Sequence, residues 1–149
     1  MDDPRRDSRE TTAHKYLTFT VGRDELGLPI SLVRTIYINS QSITAVPGLP
    51  PHLRGLVNMR GTVVPVLDTR VRFGLPPAEH DDTCIIVCEA EDGEVGLIVD
   101  SVRDVVDIPP SDVSPPALTQ ARASRFIGGI GQTRQGALLL LDFEKLTAP

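Results

Sequence analysis

The stretch LRGLVNMRGTVVPVLDTR, residues 53–70, decides the reading of this chain. It sets an arginine and two glycines among apolar residues that read as strand. NMRG interrupts the run and predicts a tight turn between two strands. Gly61 suits a turn position with positive φ, and Asn58 can hold such a turn with its side chain. Pro65 inside the second strand predicts an edge or bulge position, because proline cannot donate to a ladder. Asp68 suits the N-cap of a short helix over DTRVRFG that Gly74 would end. Arg60 is long, permanently charged and forked. It can bridge to a carboxylate of the chain itself or serve at an interface, where arginine is a frequent hot-spot residue. Nothing in this stretch resembles a reacting centre.

Outward from that hairpin the chain reads as short strands and turns. Residues 1–14 are polar and mixed in charge, which predicts a disordered tail. YLTFTV alternates, with Leu17, Phe19 and Val21 on one face; GRDE turns the chain and LGLPI continues it. ISLVRTIYI predicts a short helical turn followed by a strand. TCIIVCEA and EVGLIVDSV flank EDGE, a hairpin signal because Asp-Gly accepts positive φ. VRDVVDI alternates again, PPSDVSPP reads as loop, and ALTQARASRF as one short helix. FIGGIG and ALLLLDF form a last strand pair around QTRQG, and EKLTAP reads as a brief tail. About ten short strands at this spacing suit small barrels or sandwiches. Each half carries a hairpin-rich block, without close sequence repeat between them.

Composition narrows the classes. The 149 residues suit one domain or two small subdomains. Aromatics are 4% with no Trp, so the core is aliphatic; 12 Gly and 13 Pro demand many turns. A net charge of −5 with so few aromatics opposes nucleic-acid binding and an anionic membrane surface. No apolar run approaches the ~18 residues of a membrane span, and the N-terminus lacks a secretory apolar region, so a cytoplasmic protein is expected. Cys84 and Cys88, four apart on one strand, are ~13 Å apart at ~3.3 Å per residue, too far for a mutual disulfide. They read as buried reduced thiols.

Candidate chemistry is thin. His14, His52 and His80 lie in tail and loops without metal-ligand spacing. GxSxG is missing, and the serines read as turn residues. GGIG at 128–131 has no following lysine and opens no helix, so phosphate-loop patterns fail and close strand packing explains the glycines. The pairs Asp81–Asp82 and Glu91–Asp92 sit in turns as solvated charge. No catalytic, metal or cofactor site is expected. A small hydrolase using Asp68 and His52 would need an activated nucleophile, and an oligonucleotide-binding barrel would need a basic face.

These residues also carry a resemblance. LRGLVNMRGTVVPVLDTRVRFGL resembles the central signature of the CheW-like domain, the coupling protein family of bacterial chemotaxis. That signature runs through NLRG to PVxDLR and a Phe-Gly pair. Gly55, Asn58, Arg60, Gly61, Pro65, Val66, Asp68, Arg70 and Phe73 match it in register. YLTFTVGRDELGLPISLVRTI, EVGLIVDSVRDVVDI and FIGGIGQTRQGALLLLDFEKL resemble three further blocks. The likeness covers about residues 15–147, read as a single CheW-like domain made of two subdomains.

The resemblance implies an all-β fold of two packed five-stranded SH3-like β-barrel subdomains with a few short helices. It implies a non-enzymatic adaptor that couples the cytoplasmic tip of methyl-accepting chemoreceptors to the regulatory domain of the histidine kinase CheA. Such a protein would be a monomer in isolation and part of an array in cells, meeting the membrane only through receptors. The implied receptor groove between the barrels would use Val33, Thr35, Ile36, Gly55, Val57, Asn58, Arg60 and Val102. Gly61, Pro65 and Asp68 would shape the motif. One departure stands out: the family commonly carries a glutamate where Thr35 stands, and that glutamate can pair with the motif arginine. The alternative is a divergent pathway such as type IV pilus control, or a receptor-binding competitor that does not engage the kinase.

Overall fold

A computed structural model of the chain describes residues 14–38, 43–77, 83–91, 93–116 and 124–148. The expected tail, residues 1–14, lies outside them except for His14, whose carbonyl accepts from Ile108 N at 2.8 Å. The chain forms two compact units. A central unit comprises Leu32–Val102 with Thr20–Arg23, and a terminal unit comprises Met1–Phe19, Asp24–Ser31 and Arg103–Pro149.

The central unit holds a five-stranded sheet. A 3-10 turn at Ile30–Leu32 leads into β3 (Val33–Ile38), as the sequence predicted; β4 (Leu53–Met59) and β5 (Thr62–Asp68) form the arginine hairpin. Helix α1 (Thr69–Arg72) follows, then the hairpin of β6 (Cys84–Ala90) and β7 (Gly93–Val99). Asp92 of the expected Asp-Gly turn lies outside the described residues. The order across the sheet is β3-β6-β7-β5-β4, with β5 and β7 parallel. Thr44, in the segment after β3, pairs with Leu56 on the outer side of β4 (2.8 and 2.9 Å). Val57, Val66, Ile85, Val87 and Ile98 form the core, with Tyr37, Ile43 and Met59 packed on it. Cys84 and Cys88 are buried free thiols, and burial pushes Cys88 up to about 12, which keeps it inert.

Pro65 departs from the expected edge or bulge position. It is not at an edge, since β5 lies between β4 and β7. The pairing with β7 starts at Val66, so proline sits just before the parallel ladder, where its missing N–H removes no rung. The bulge is on the partner strand, between Leu53 and Gly55.

The terminal unit holds a six-stranded sheet, not the expected five. Its strands are β1 (Lys15–Val21), β2 (Asp24–Pro29), β8 (Ser101–Asp107), β9 (Val113–Ser114), β10 (Ile127–Thr133) and β11 (Gly136–Leu141), in the order β8-β1-β2-β11-β10-β9. Ile108, Leu138 and Leu140 form a core cluster with Tyr16, Val106 and Val113. Thr18, on the face read as polar, is buried because its hydroxyl bonds both backbone groups of Asp104 (3.2 and 3.0 Å). The expected tail EKLTAP is instead helix α2 (Phe143–Thr147), capped by Asp142 and buried through Phe143 and Leu146. Of the expected helix over ALTQARASRF, residues 117–123 lie outside the described residues, and Ser124–Phe126 is a 3-10 turn.

The two sheets repeat one plan. β3, the Thr44 bridge, β4, β5, α1, β6 and β7 correspond in sheet order to β8, β9, β10, β11, α2, β1 and β2. The N-terminal hairpin thereby completes the sheet of the C-terminal half. The bulge at Leu53/Gly55 recurs at Ile127/Gly129, and the Thr44–Leu56 pair recurs as Ser114–Ile130. Asp68 N donates to His52 O and Asp142 N to Phe126 O, both at 2.7 Å.

Candidate functional site

The arginine hairpin is the most distinctive surface of the central unit. Met59 pairs with Thr62, leaving Arg60 and Gly61 as a two-residue turn. Both have positive φ, +54° and +84°, the signature of a type I′ turn whose twist matches the strands. Gly61 enters this region freely; arginine does so at a cost of roughly 1 kcal/mol. Asn58 Oδ1 accepts from Gly61 N at 3.0 Å and holds the turn, as its sequence position predicted. Arg60 is exposed, and among the described residues its guanidinium has no ion pair.

The other arginines nearby are engaged. Arg54 lies 3.6 Å from Asp68 Oδ2. Arg34 bonds Glu89 at 3.1 Å on the surface, a contact of little energetic weight. Arg70 Nη1 meets Asp100 Oδ2 at 2.7 Å, and its Nε donates to Pro76 O at 2.8 Å. Asp100 Oδ2 also accepts from Gly22 N at 2.7 Å, so one carboxylate ties α1, the β1–β2 turn and the end of β7. Sequence reasoning missed Asp100. Its signal was an acidic residue closing the apolar run VGLIV, where an interior partner is needed.

Of the residues expected to form one groove, the structure divides the set. Val33 and Ile36 are half-buried and Thr35 exposed on β3; Asn58 and Arg60 are exposed at the hairpin tip. These remain candidates for contact. Val57 does not: it is 2% exposed and belongs to the core. Gly55 does permit a close approach, but of the chain to itself, since a Cβ there would run into the Thr44 carbonyl. Val102 is half-buried near the start of β8, as the last residue of the central unit. Pro65 is exposed beside Val63, which is 58% exposed on the same hairpin.

Asp68 is structural. Its Oδ1 accepts from Arg70 N (3.0 Å) and Val71 N (3.4 Å), capping α1, and the residue is buried. Burial raises its pKa against the lowering by those N–H groups and the Arg54 and Arg70 charges. His52 accepts from Asp68 N through its backbone carbonyl, and its own pKa is lowered by burial and by the Arg72 charge. Among the described residues no cluster of three or more His, Cys, Asp or Glu could hold a metal, and no helix is long and apolar enough to cross a membrane.

Known proteins supply the remaining context. The family model described as "CheW-like domain" matches residues 15–148. The chain is 33% identical over 139 residues to a chemotaxis protein CheW of Klebsiella aerogenes, covering 92% of this chain and 83% of that one. It is 31% identical over 137 residues to protein FrzA of Myxococcus xanthus, covering 89% and 84%. Among solved structures, that of the scaffolding protein TtCheW from Thermoanaerobacter tengcongensis matches with a TM-score of 0.81 and 29% identity, over 91% of this chain and 88% of that one.

Proposed function

The chain belongs to the CheW-like domain family, and from that premise we propose that it is a non-enzymatic scaffold of a bacterial chemosensory system, coupling methyl-accepting chemoreceptors to the histidine kinase CheA. It would work in the cytoplasm, reaching the membrane only through its receptors.

The observation that carries the reading is the Arg60 tip. A forked cation stands exposed on a turn pinned by Asn58, and no described carboxylate neutralises it. Such a group is preorganised for a partner's acidic side chain. The receptor contact would combine it with Asn58 and with Val33, Thr35 and Ile36 of β3, while Gly55 and Val57 support the hairpin from within. Thr35 leaves Arg60 without the glutamate common in the family, which favours a partner carboxylate in that role. Contacts of this size are individually weak, and arrays strengthen them by multivalency.

A second reading, a place in a divergent pathway, has the Thr35 departure and the FrzA relative behind it. Both readings meet one experiment: capture by two baits, a CheA regulatory domain and a receptor cytoplasmic hairpin from the same organism. Capture of both establishes coupling. Capture of the receptor alone makes the chain a competitor, and capture of neither removes the proposed partners.

A further inference from the structure

The internal repeat gives the terminal unit a second arginine hairpin tip, and a groove lies beside it. Val106 and Asp107 of β8, Asp112 after it, and Gln132–Gln135 at the β10–β11 tip line a groove of about 600 Å³. That size is within the range of sites that enclose small ligands or short peptide segments.

Two strand edges border this groove. β8 is the outermost strand of its sheet. At Val105 its edge is blunted, because Asp104 Oδ1 accepts from Val105 N at 2.8 Å in place of a neighbouring strand. The groove begins just past that point, at Val106 and Asp107. On the facing side, β9 covers β10 at Ile130 and Gly131 and stops, so Gln132 and Thr133 extend beyond it. Backbone edges thus border the groove on both sides, which suits an extended chain better than a helix.

Charge selects the chain. Asp107, Asp112 and Arg134 are exposed, and among the described residues none of them has an ion pair. Two carboxylates against one guanidinium, on a protein of net charge −5, favour a basic segment. The half-buried Val106 gives its apolar side chains a place to lie.

We propose that the groove between β8 and the β10–β11 tip docks an extended peptide segment of a partner protein, apolar and basic in alternation, by strand addition to β8 or β10. The site is in the terminal unit and is independent of the Arg60 reading.

The test uses the full chain, labelled for NMR, and a capped pentapeptide of alternating valine and lysine. Amide shifts should concentrate at Val106, Asp107, Asp112 and Gln132–Gln135. Exchanging both acids, Asp107→Lys with Asp112→Lys, should weaken binding at least tenfold. Methylating alternate backbone nitrogens of the peptide should abolish binding, since that removes strand pairing and keeps the charge. Shifts mapping elsewhere, no shifts at millimolar peptide, or full binding by the methylated peptide would each overturn the proposal.

Discussion

Arg60 and Arg134 hold the same position on two hairpins of the same register, yet their backbones differ. Arg60 has φ +54° and is followed by Gly61 at +84°, whereas Arg134 is outside the positive-φ region. The second tip is held by Thr133 instead, whose Oγ1 donates to Gly136 O at 2.9 Å and accepts from Gln135 N at 3.2 Å. Strain at the first tip alone gives a prediction with an internal control. Arg60→Gly should raise stability by about 1 kcal/mol, because glycine accepts the left-handed region. Arg134→Gly should lower it by up to about 0.5 kcal/mol through chain entropy. Urea midpoints of the two variants check this. A more stable Arg60→Gly protein that no longer captures receptor would separate the arginine's binding role from any folding role.

Gly55 and Gly129 form a second matched pair. A Cβ at Gly55 would meet the Thr44 carbonyl with φ at +146°, while at Gly129 it would stand 3.2 Å from the Ser114 carbonyl without positive φ. Gly55→Ala is expected to cost about 3 kcal/mol or to prevent folding, and Gly129→Ala about 1 kcal/mol. Thermal melts of both variants decide it; equal losses would mean that the Thr44 segment yields.

How much of this was legible in the sequence follows from which signals are local. Asn58, Gly61 and Asp68 act on backbone groups within three residues of themselves, so turn and cap chemistry announced them. The family resemblance carried the fold and the adaptor role. The resemblance assigned Val57 to the groove, whereas its side chain is 2% exposed in the core of its sheet, a placement that only the packing of β4 on β5 reveals. The helix at Phe143–Thr147 was missed because five residues are too few for a helical period to register. The repeat escaped notice because few residue types are kept in it: Gly55, Arg60, Leu67 and Asp68 recur as Gly129, Arg134, Leu141 and Asp142, while Val57 stands against Gly131 and Pro65 against Leu139.

Asp100 joins three segments through one oxygen, and its Oδ1 is buried with no hydrogen-bond partner among the described residues. Arg70→Ala would leave that carboxylate with Gly22 N alone. The pair is 21% and 17% exposed, so the loss should fall below that of a fully buried bridge, at about 2 kcal/mol. For a chain of this length that is a fall of about 4–8 °C in Tm. Asp100→Asn retains an acceptor for Gly22 N and should lose less; a larger loss than Arg70→Ala would mean that the Gly22 contact, not the ion pair, matters most.

Asp68 sets a pH dependence of unusual sign. Burial is the largest influence and raises its pKa above the ordinary 3.8, outweighing the cap N–H groups and the arginine charges. The folded state therefore holds this proton more tightly than the unfolded chain. The stability it contributes is full below about pH 3.8 and is lost as pH rises through the folded value. The amide introduced by Asp68→Asn cannot titrate and still offers an oxygen to Arg70 N and Val71 N. Asp68→Asn should thus match or exceed the wild type near neutral pH and lose its advantage in acid. Asp68→Ala removes the cap and should cost about 1–2 kcal/mol at any pH. Urea melts of the three proteins between about pH 3 and 7 give the comparison. A wild type that gains on Asp68→Asn as pH rises would show that Arg54, 3.6 Å away, outweighs burial.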